Sequence, residues 1–320
     1  MTEKLPSKLS IVIRCFNEEQ HIGKLLSGIC QQTISAVEII IVDSGSTDAT
    51  LAIASRYPVK IIHIKPADFT FGRALNIGCE AASGEVIVIA SAHVYPVYND
   101  WLDKLSSFFS DPKVALVYGK QRGNNVSKYS ELRIFQKWFP DGPSGFQSHP
   151  FCNNANTAIR RNVWENVRYD ENLTGLEDLG WAKRILADGY RMAYSAEAEI
   201  IHVHDEPLSR IFNRYRREAI AMKAIFPDEK FSFIYFIQLF VSNSINDLYN
   251  AMHDRMLLKK FSEIIAFRML QFYGTYRGYR QQGPISTQLK DRFYYPNQWN
   301  HTRDINSSDA AERKIDYSSS

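Results

Sequence analysis

Four short runs rich in Val and Ile alternate with stretches of helical spacing in the first third of the chain. The runs cover residues 9–13, 37–42, 59–64 and 85–90. Continuous apolar strands that alternate with helices predict a parallel sheet covered on both faces. Right-handed crossovers then give a doubly wound α/β fold, whose ligands bind at the carboxyl ends of the strands.

The rest of the chain divides by composition. Residues 121–151 are rich in Gly, Pro, Ser and aromatic residues, which predicts a loop-rich, mobile segment. We expect a domain containing the sheet over residues 1–207 and a basic, mostly helical region over 208–296. The polar residues 297–320 are predicted to be a disordered tail.

The composition argues against several classes of protein. Among 320 residues the four cysteines are scattered and form no Cys-x-x-Cys pair, so neither a zinc ribbon nor a redox pair is indicated. The N-terminus lacks an apolar signal core. The longest apolar run, 231–241, is shorter than the ~20 residues that cross a bilayer. A net charge of +3 gives no indication of nucleic acid. These features predict a cytoplasmic protein.

Polar turns follow three of the predicted strands. Residues 17–19 follow the first strand, 43–48 the second and 91–93 the fourth. Because parallel strands bring their carboxyl ends to one edge of the sheet, we expect these turns to meet there. A carboxylate pair, Glu177 and Asp178, begins a later predicted helix.

Four ordered motifs resemble family 2 glycosyltransferases of the GT-A fold. The motifs are SIVIRCFNEE at 10–19, EIIIVDSGSTDAT at 38–50, GRALNIG at 72–78 and LEDLGWA at 176–182. NTAIRRNVW at 156–164 is similar to the bacterial rhamnosyltransferase-like branch. The resemblance implies inverting transfer from a UDP- or dTDP-sugar to a glycan or lipid-linked acceptor of a bacterial surface polysaccharide. Residues 1–207 would then be a GT-A nucleotide-sugar-binding and catalytic domain.

In this family an Asp-x-Asp metal motif is expected at residues 91–93, where this chain has Ser-Ala-His. His93 replaces the last Asp. Two later histidines lie on one face of a predicted strand, and His204 is favoured over His202 as a second metal ligand because a polar acidic turn follows it. Imidazole suits Mn²⁺ or Zn²⁺ better than Mg²⁺. Both a divalent metal (Mn²⁺ or Mg²⁺) and a metal-free site, in which His93 contacts the pyrophosphate, remain open.

The carboxylate pair is the predicted catalytic centre. An inverting displacement needs a base that takes the proton of the acceptor hydroxyl, and positive charge on the leaving diphosphate. The resemblance assigns the base to Asp178, with Glu177 supporting it or contacting the acceptor. The alternative is ordinary acidity in the first turn of a helix.

Other polar residues are predicted to hold the donor. Asp43 would accept a hydrogen bond from the base or ribose, or else form an Asx turn or helix cap. Arg73 would pair with phosphate, or else form a surface salt bridge. Arg214 and Arg217 would clamp the diphosphate if no metal binds. Asn154 and Asn156 are equally typical of turns. The full predicted set is Asn17, Glu18, Asp43, Ser44, Arg73, Asn76, Ser91, His93, Asn154, Asn156, Arg214 and Arg217.

Basic and aromatic helices follow residue 208. Arg210, Arg214 and Arg217 fall on one helical face, and apolar stretches follow them. Such helices suit the anionic inner face of a cell membrane, where a lipid-linked acceptor would lie. Alternatively, the apolar stripes pack on the catalytic domain or form a homodimer.

Two other functions remain as alternatives. The missing Asp-x-Asp suggests a catalytically weakened, nucleotide-sugar-binding scaffold of a polysaccharide assembly complex, although the carboxylate pair argues against it. A sugar nucleotidyltransferase would need a Gly-rich, Arg-bearing loop after the first strand, and residues 14–19 provide none.

Overall fold

The computed structural model of the protein describes residues 8–283 together with Leu289, Tyr294, Ile315 and Tyr317. The predicted disordered tail at 297–320 lies outside the described residues, except for two of them.

The N-terminal half of the sheet is parallel, as predicted. Its strands are β1 (Leu9–Cys15), β2 (Val37–Asp43), β3 (Val59–His63) and β4 (Val86–Ser91). β1 lies between β2 and β4, with Cys15 beside Asp43 and Arg14 beside Ser91. The connecting helices are α1 (Ile22–Cys30), α2 (Thr50–Ala54) and α3 (Phe71–Ala81). The GT-A-type, doubly wound arrangement is therefore present.

The second half of the sheet is mixed. It contains β5 (Val94–Pro96), β6 (Val114–Arg122), β7 (Gly145–Gln147), β8 (Asn156–Arg160) and β9 (Arg191–His202). The strand order is β3-β2-β1-β4-β8-β6-β9-β5, with β7 on β9. β8 runs antiparallel to both β4 and β6, whereas β6 and β9 are parallel.

The segment 121–151 contains a helix that the sequence prediction missed. α5 (Tyr129–Trp138) buries Tyr129, Glu131 and Phe135. The Gly and Pro residues that suggested a loop lie on either side of it. The remaining helices are α4 (Trp101–Ser106), α6 (Arg161–Asn166), α7 (Glu177–Ala187), α8 (Leu208–Ile225), α9 (Phe233–His253) and α10 (Leu257–Tyr279).

The core lies on both faces of the sheet. Along β1, Ile11 and Ile13 face a cluster that includes α1 and α4, while Val12 faces a second cluster that includes α3, α6 and α7. Alternate residues of a strand point to opposite faces, so a continuous apolar strand fills both.

The C-terminal helices pack closely on one another. Gly274 and Gly278 of α10 leave no room for a β-carbon, because the backbone of α8 at Phe212 and Arg216 lies there. The predicted domain boundary falls where α8 begins, and it stays a prediction. Over the described residues, no helix is long and apolar enough to cross a membrane.

Candidate functional site

The loops after β1 and β2 are joined by Asn17. Its side-chain oxygen accepts a hydrogen bond from the Thr47 backbone N–H at 2.8 Å, and its own N–H donates to Ser46 Oγ at 2.9 Å. Asn17 has a φ of 54°, in the left-handed region that Asn tolerates better than most residues. The two predicted turns therefore meet at one edge of the sheet.

Asp43 and Ser44 are buried within the second loop. The Asp43 carboxylate accepts hydrogen bonds from the N–H groups of Gly45 and Ser46, and Ser44 Oγ donates to the Cys15 carbonyl. These hydrogen bonds form the Asx turn that the sequence analysis gave as the alternative to a contact with the nucleoside. A contact from Asp43 or Ser44 to a nucleoside stays a prediction.

Glu18 and His93 lie together, although they come from different loops. His93 Nδ1 is 2.8 Å from Glu18 Oε1. Burial lowers the pKa of His93, but the adjacent Glu18 carboxylate outweighs it and raises the pKa overall. The Glu18 contact therefore shifts the balance of His93 toward its protonated form more than burial shifts it the other way.

Three histidines form a cluster at this edge. The rings of His93 and His202 are stacked with centroids 5.1 Å apart, and Nε2 of His202 is 2.9 Å from Nε2 of His204. Burial and the nearby charges of His204 and His93 hold the pKa of His202 well below its usual value. The structure thus brings together the predicted pair His93 and His204 and adds His202, which the sequence prediction ranked second.

Side chains behind the histidines fix the orientation of the rings. Gln121 Oε1 lies 2.8 Å from His202 Nδ1, and Glu131 Oε1 lies 2.7 Å from His204 Nδ1. Burial raises the pKa of Glu131, but Arg214 and His204 hold it at about 2. Glu131 was not found from the sequence because it lies in the unpredicted helix α5.

Arg214 has two carboxylate partners in the protein. Its guanidinium lies 2.7 Å from Glu131 and 3.1 Å from Glu206. The expected clamp on a diphosphate needs an arginine whose charge is available to the ligand, whereas this charge neutralises protein carboxylates. Arg214 therefore positions Glu131 and, through it, His204.

The carboxylate pair is buried at the start of α7. The Asp178 carboxylate accepts a hydrogen bond from the Asn154 N–H at 2.9 Å. Burial and the neighbouring Glu177 carboxylate raise the pKa of Asp178 to about 7. Leu176, just before the helix, has a φ of 54°. Such strain in a non-glycine residue costs of order 1–3 kcal/mol and is typical of functional sites.

Arg14 is a site residue that the sequence prediction missed. Its guanidinium is 3.2 Å from Glu177 and lies over the ring of Phe71 at 4.8 Å. Arg217, from α8, lies over the same ring at 4.6 Å. The available signal was a charged residue near the end of an otherwise apolar strand.

Two predicted donor contacts are wrong. The Asn76 side chain donates to the Tyr169 carbonyl and to Glu171, and accepts from Trp164 and from the Tyr169 N–H. Asn156 is fully buried and bonds Trp101, Lys120 and Ala198. Both amides hold the protein core together, because every polar atom of theirs already has a protein partner.

The other predicted residues differ in exposure. Asn154 is 3% exposed, and neither its amide nitrogen nor its amide oxygen has a hydrogen-bond partner among the described residues. Unpaired buried amides are costly, so this one is suited to a ligand beside Asp178. Arg73 is exposed on α3, and Ser91 ends β4. Their donor contacts stay predictions.

The fold and the site define a class of protein. The carboxyl edge of a GT-A-type sheet carries a buried acid pair, two arginines beside one aromatic ring, and a histidine cluster. A general base and positive charges placed together suit transfer of a group from an anionic donor.

The comparisons with known proteins agree with this class. The model for Glycosyl transferase family 2 matches residues 10–168. The chain is 28% identical over 221 residues to the O-antigen chain rhamnosyltransferase RfbN of Salmonella typhimurium, covering 65% of this chain and 70% of that protein. It is 31% identical over 199 residues to the O-antigen chain rhamnosyltransferase WbaN of Salmonella anatum, covering 58% and 62%. The chain belongs to family 2 of the glycosyltransferases and is rhamnosyltransferase-like.

Two solved structures share the fold. The mannosyltransferase PcManGT from Pyrobaculum calidifontis, in complex with GDP-Man and Mn²⁺, has a TM-score of 0.59 and 17% identity over 92% of this chain and 89% of its own. S. aureus TarS in complex with UDP has a TM-score of 0.52 and 16% identity over 93% and 94%. At these identities the likeness concerns the fold alone.

Proposed function

We propose that this protein is an inverting glycosyltransferase that moves a sugar from a UDP- or dTDP-sugar to a glycan or lipid-linked acceptor of a bacterial surface polysaccharide. The observation that carries the proposal is the buried Asp178, whose raised pKa suits a general base near neutral pH. The names of the two Salmonella relatives support O-antigen synthesis and a deoxyhexose donor.

Asp178 takes the proton of the acceptor hydroxyl as that oxygen attacks the anomeric carbon. The bond from this carbon to the diphosphate oxygen breaks, and its electron pair leaves with the diphosphate. Attack from the opposite side inverts the anomeric carbon. The backbone N–H of Asn154 holds the Asp178 carboxylate in place. The side-chain amide of Asn154, which has no hydrogen-bond partner among the described residues, bonds a sugar hydroxyl.

Positive side chains line the place where the diphosphate leaves. Arg217 lies over Phe71 beside the carboxylate pair, and Arg14, over the same ring, is paired with Glu177. His93 lies at the end of β4, beside Glu18. Fixed positive charges that face developing negative charge lower the barrier without reorganisation during the reaction. A bound divalent cation would add further positive charge there, and His93 and His204 are the side chains that would hold it.

The acceptor side lies at the membrane in this proposal. α9 contains no Lys, Arg or Glu, and it exposes an apolar stripe on successive turns. Cationic Lys230, Arg255 and Lys259 flank the helix, which suits anionic lipid. The stripe consists of Ile234, Ile237, Val241, Ile245, Tyr249 and Met252. The protein would therefore work as a peripheral enzyme at the cytoplasmic face.

The test is transfer by the full chain from a panel of UDP-, dTDP- and GDP-sugars to a lipid-linked oligosaccharide. We expect turnover with a UDP- or dTDP-sugar, inversion detected by NMR of the new linkage, and loss of turnover in Asp178→Asn. Asp188→Asn, an exposed Asp that follows the same helix, is the matched control. Nucleotide binding without turnover of any donor would instead favour the scaffold.

A further inference from the structure

The three clustered histidines share one hydrogen-bonding arrangement. Nδ1 of His93 faces Glu18 at 2.8 Å, Nδ1 of His202 faces Gln121 at 2.8 Å, and Nδ1 of His204 faces Glu131 at 2.7 Å. A carboxylate or an amide oxygen only accepts hydrogen bonds, so each Nδ1 carries a proton. In a neutral imidazole the lone pair then lies on Nε2.

The ring nitrogens of the three histidines lie close together. Nε2 of His202 and Nε2 of His204 are 2.9 Å apart, and the ring of His93 stacks on that of His202. One ring nitrogen from each of the three histidines lies within 4.8 Å of the other two. Two nitrogens that each lie about 2.0–2.1 Å from one ion are about 3 Å apart when the angle between them is close to 90°.

The surroundings also fit a metal ion. Histidines that bind metal almost always donate their other N–H to a carboxylate, a carbonyl or water, which fixes tautomer and ring orientation. Here two carboxylates and one amide oxygen take that role, and Arg214 in turn holds Glu131 at 2.7 Å. A histidine cluster that served only as a source of positive charge would not need two Nε2 atoms facing each other with a third imidazole stacked beside them.

We propose that Nε2 of His93, His202 and His204 bind one divalent transition-metal ion, with Zn²⁺ and Co²⁺ preferred to Mn²⁺ and Mg²⁺ excluded. Imidazole ligands suit Zn²⁺ and its neighbours, whereas Mg²⁺ requires oxygen ligands. The three histidines would bind the ion through imidazole nitrogens and not through carboxylates of the Asp-x-Asp kind. Only its role rests on the proposed function: the ion would offer its remaining positions to the donor diphosphate.

The test measures metal binding directly, without nucleotide. The full chain is stripped with a chelator and titrated with Co²⁺, and its visible absorption is followed. Competition against a chromophoric chelator then gives the affinity for Zn²⁺, and Mg²⁺ is added in excess as a competitor. We expect one equivalent of Co²⁺ with visible absorption bands, displacement by Zn²⁺, and no displacement by Mg²⁺.

Variants locate the ion. His202→Gln and His204→Gln should each abolish the Co²⁺ absorption, and Glu131→Gln should weaken binding by about 10–100-fold. His253→Gln, at the exposed end of α9, is the matched control and should leave the spectrum unchanged. Circular dichroism of each variant checks that it folds. If His202→Gln misfolds, Glu131→Gln and His204→Gln still decide the proposal.

Two results would overturn the proposal: failure of the wild-type chain to bind Co²⁺ or Zn²⁺, or unchanged Co²⁺ affinity in the His204→Gln variant. A parallel transfer assay separates this inference from the proposed function. If the chain binds no metal but still transfers sugar, the metal site is refuted and the proposed transferase function stands. If the chain binds one equivalent of Co²⁺ but transfers no sugar, the metal site stands and the proposed transferase function is refuted.

Discussion

Arg14 and Glu177 form an ion pair at the carboxyl edge of the sheet, with 3.2 Å between guanidinium nitrogen and carboxylate oxygen. Arg14 lies one residue before the end of the apolar strand β1, and Glu177 begins the helix that carries the predicted base. This pair makes the two adjacent carboxylates unequal: Glu177 is neutralised by an arginine, whereas among the described residues Asp178 accepts hydrogen bonds from backbone N–H groups alone. The unequal environments match the expectation that one carboxylate is the base and the other supports it.

Replacement of Asp178 by Asn should remove activity and stabilise the fold. We expect kcat to fall by about 10²–10⁴-fold, because a general base contributes that much. The pKa of about 7 exceeds the usual Asp value of about 3.9, so the folded chain binds more protons than the unfolded one between these values. This carboxylate therefore lowers stability as pH rises through that window, and at pH 8 the variant should have a higher Tm.

The measurements are kcat and the thermal midpoint at pH 5 and pH 8. The gain in Tm should be large at pH 8 and small at pH 5, where Asp178 is already mostly protonated. A variant that melts below the wild type at pH 8 would contradict the assignment of a destabilising buried charge.

The pH profile of kcat should have an acidic limb near pH 7, because Asp178 must be deprotonated to act as base. Burial is the largest cause of the raised pKa, and Glu177 is the next. Glu177→Gln removes the neighbouring negative charge, so the acidic limb of this variant's pH profile should move to lower pH even if kcat falls. An unchanged limb would show that another group titrates.

Asn154 and Asn156 should respond differently to truncation. Asn156→Ala leaves Trp101 and two backbone carbonyls without partners, so we expect a loss of roughly 2–4 kcal/mol of unfolding free energy. Asn154→Ala removes a buried amide that has no side-chain partner, so stability should hold while kcat/KM falls about 10-fold or more. Denaturant unfolding and steady-state kinetics of both variants check this. Equal losses of stability would contradict a ligand role for Asn154.

The exposed stripe on α9 should bind anionic vesicles. Ile237→Glu and Ile245→Glu should each weaken binding to vesicles containing phosphatidylglycerol by about tenfold, since each removes apolar contact and adds repulsive charge. Ala52→Glu, at an exposed position of α2, adds the same charge away from the stripe and serves as the control. Sedimentation with vesicles measures binding. Loss of a dimer in these variants, without any vesicle binding by the wild type, would make the stripe a subunit interface instead.

The parallel half of the sheet could be predicted because its evidence is local: β-branched runs form buried strands wherever they pack. α5 could not, since Tyr129 and Glu131 are held by contacts with distant residues, including Glu263 and Arg214. The sequence prediction used the composition of the whole segment 121–151, in which the Gly and Pro residues on either side of this helix obscured it.

The predictions for the site divide in the same way, between residues with local evidence and residues held by contacts distant in sequence. Glu177, Asp178 and His93 could be singled out from the sequence because their motifs are contiguous. Asn76 was misassigned because its partners, Trp164 and the backbone of Tyr169, lie far along the chain. Arg14 was missed because nothing local to it indicates that Glu177 lies opposite. His202 ranked second only because its neighbours in sequence are apolar, whereas its partner Gln121 comes from another strand.

The position of Arg214 in α8 has a consequence for engineering. The match to the family model ends at residue 168, before this helix, yet Arg214 secures Glu131, which orients His204. A chimaera that joins this catalytic half to the C-terminal helices of a relative therefore has to preserve the arginine and its two acidic partners together. Recombination points for altering acceptor preference belong after α8, where the exchanged segment carries no part of the histidine cluster.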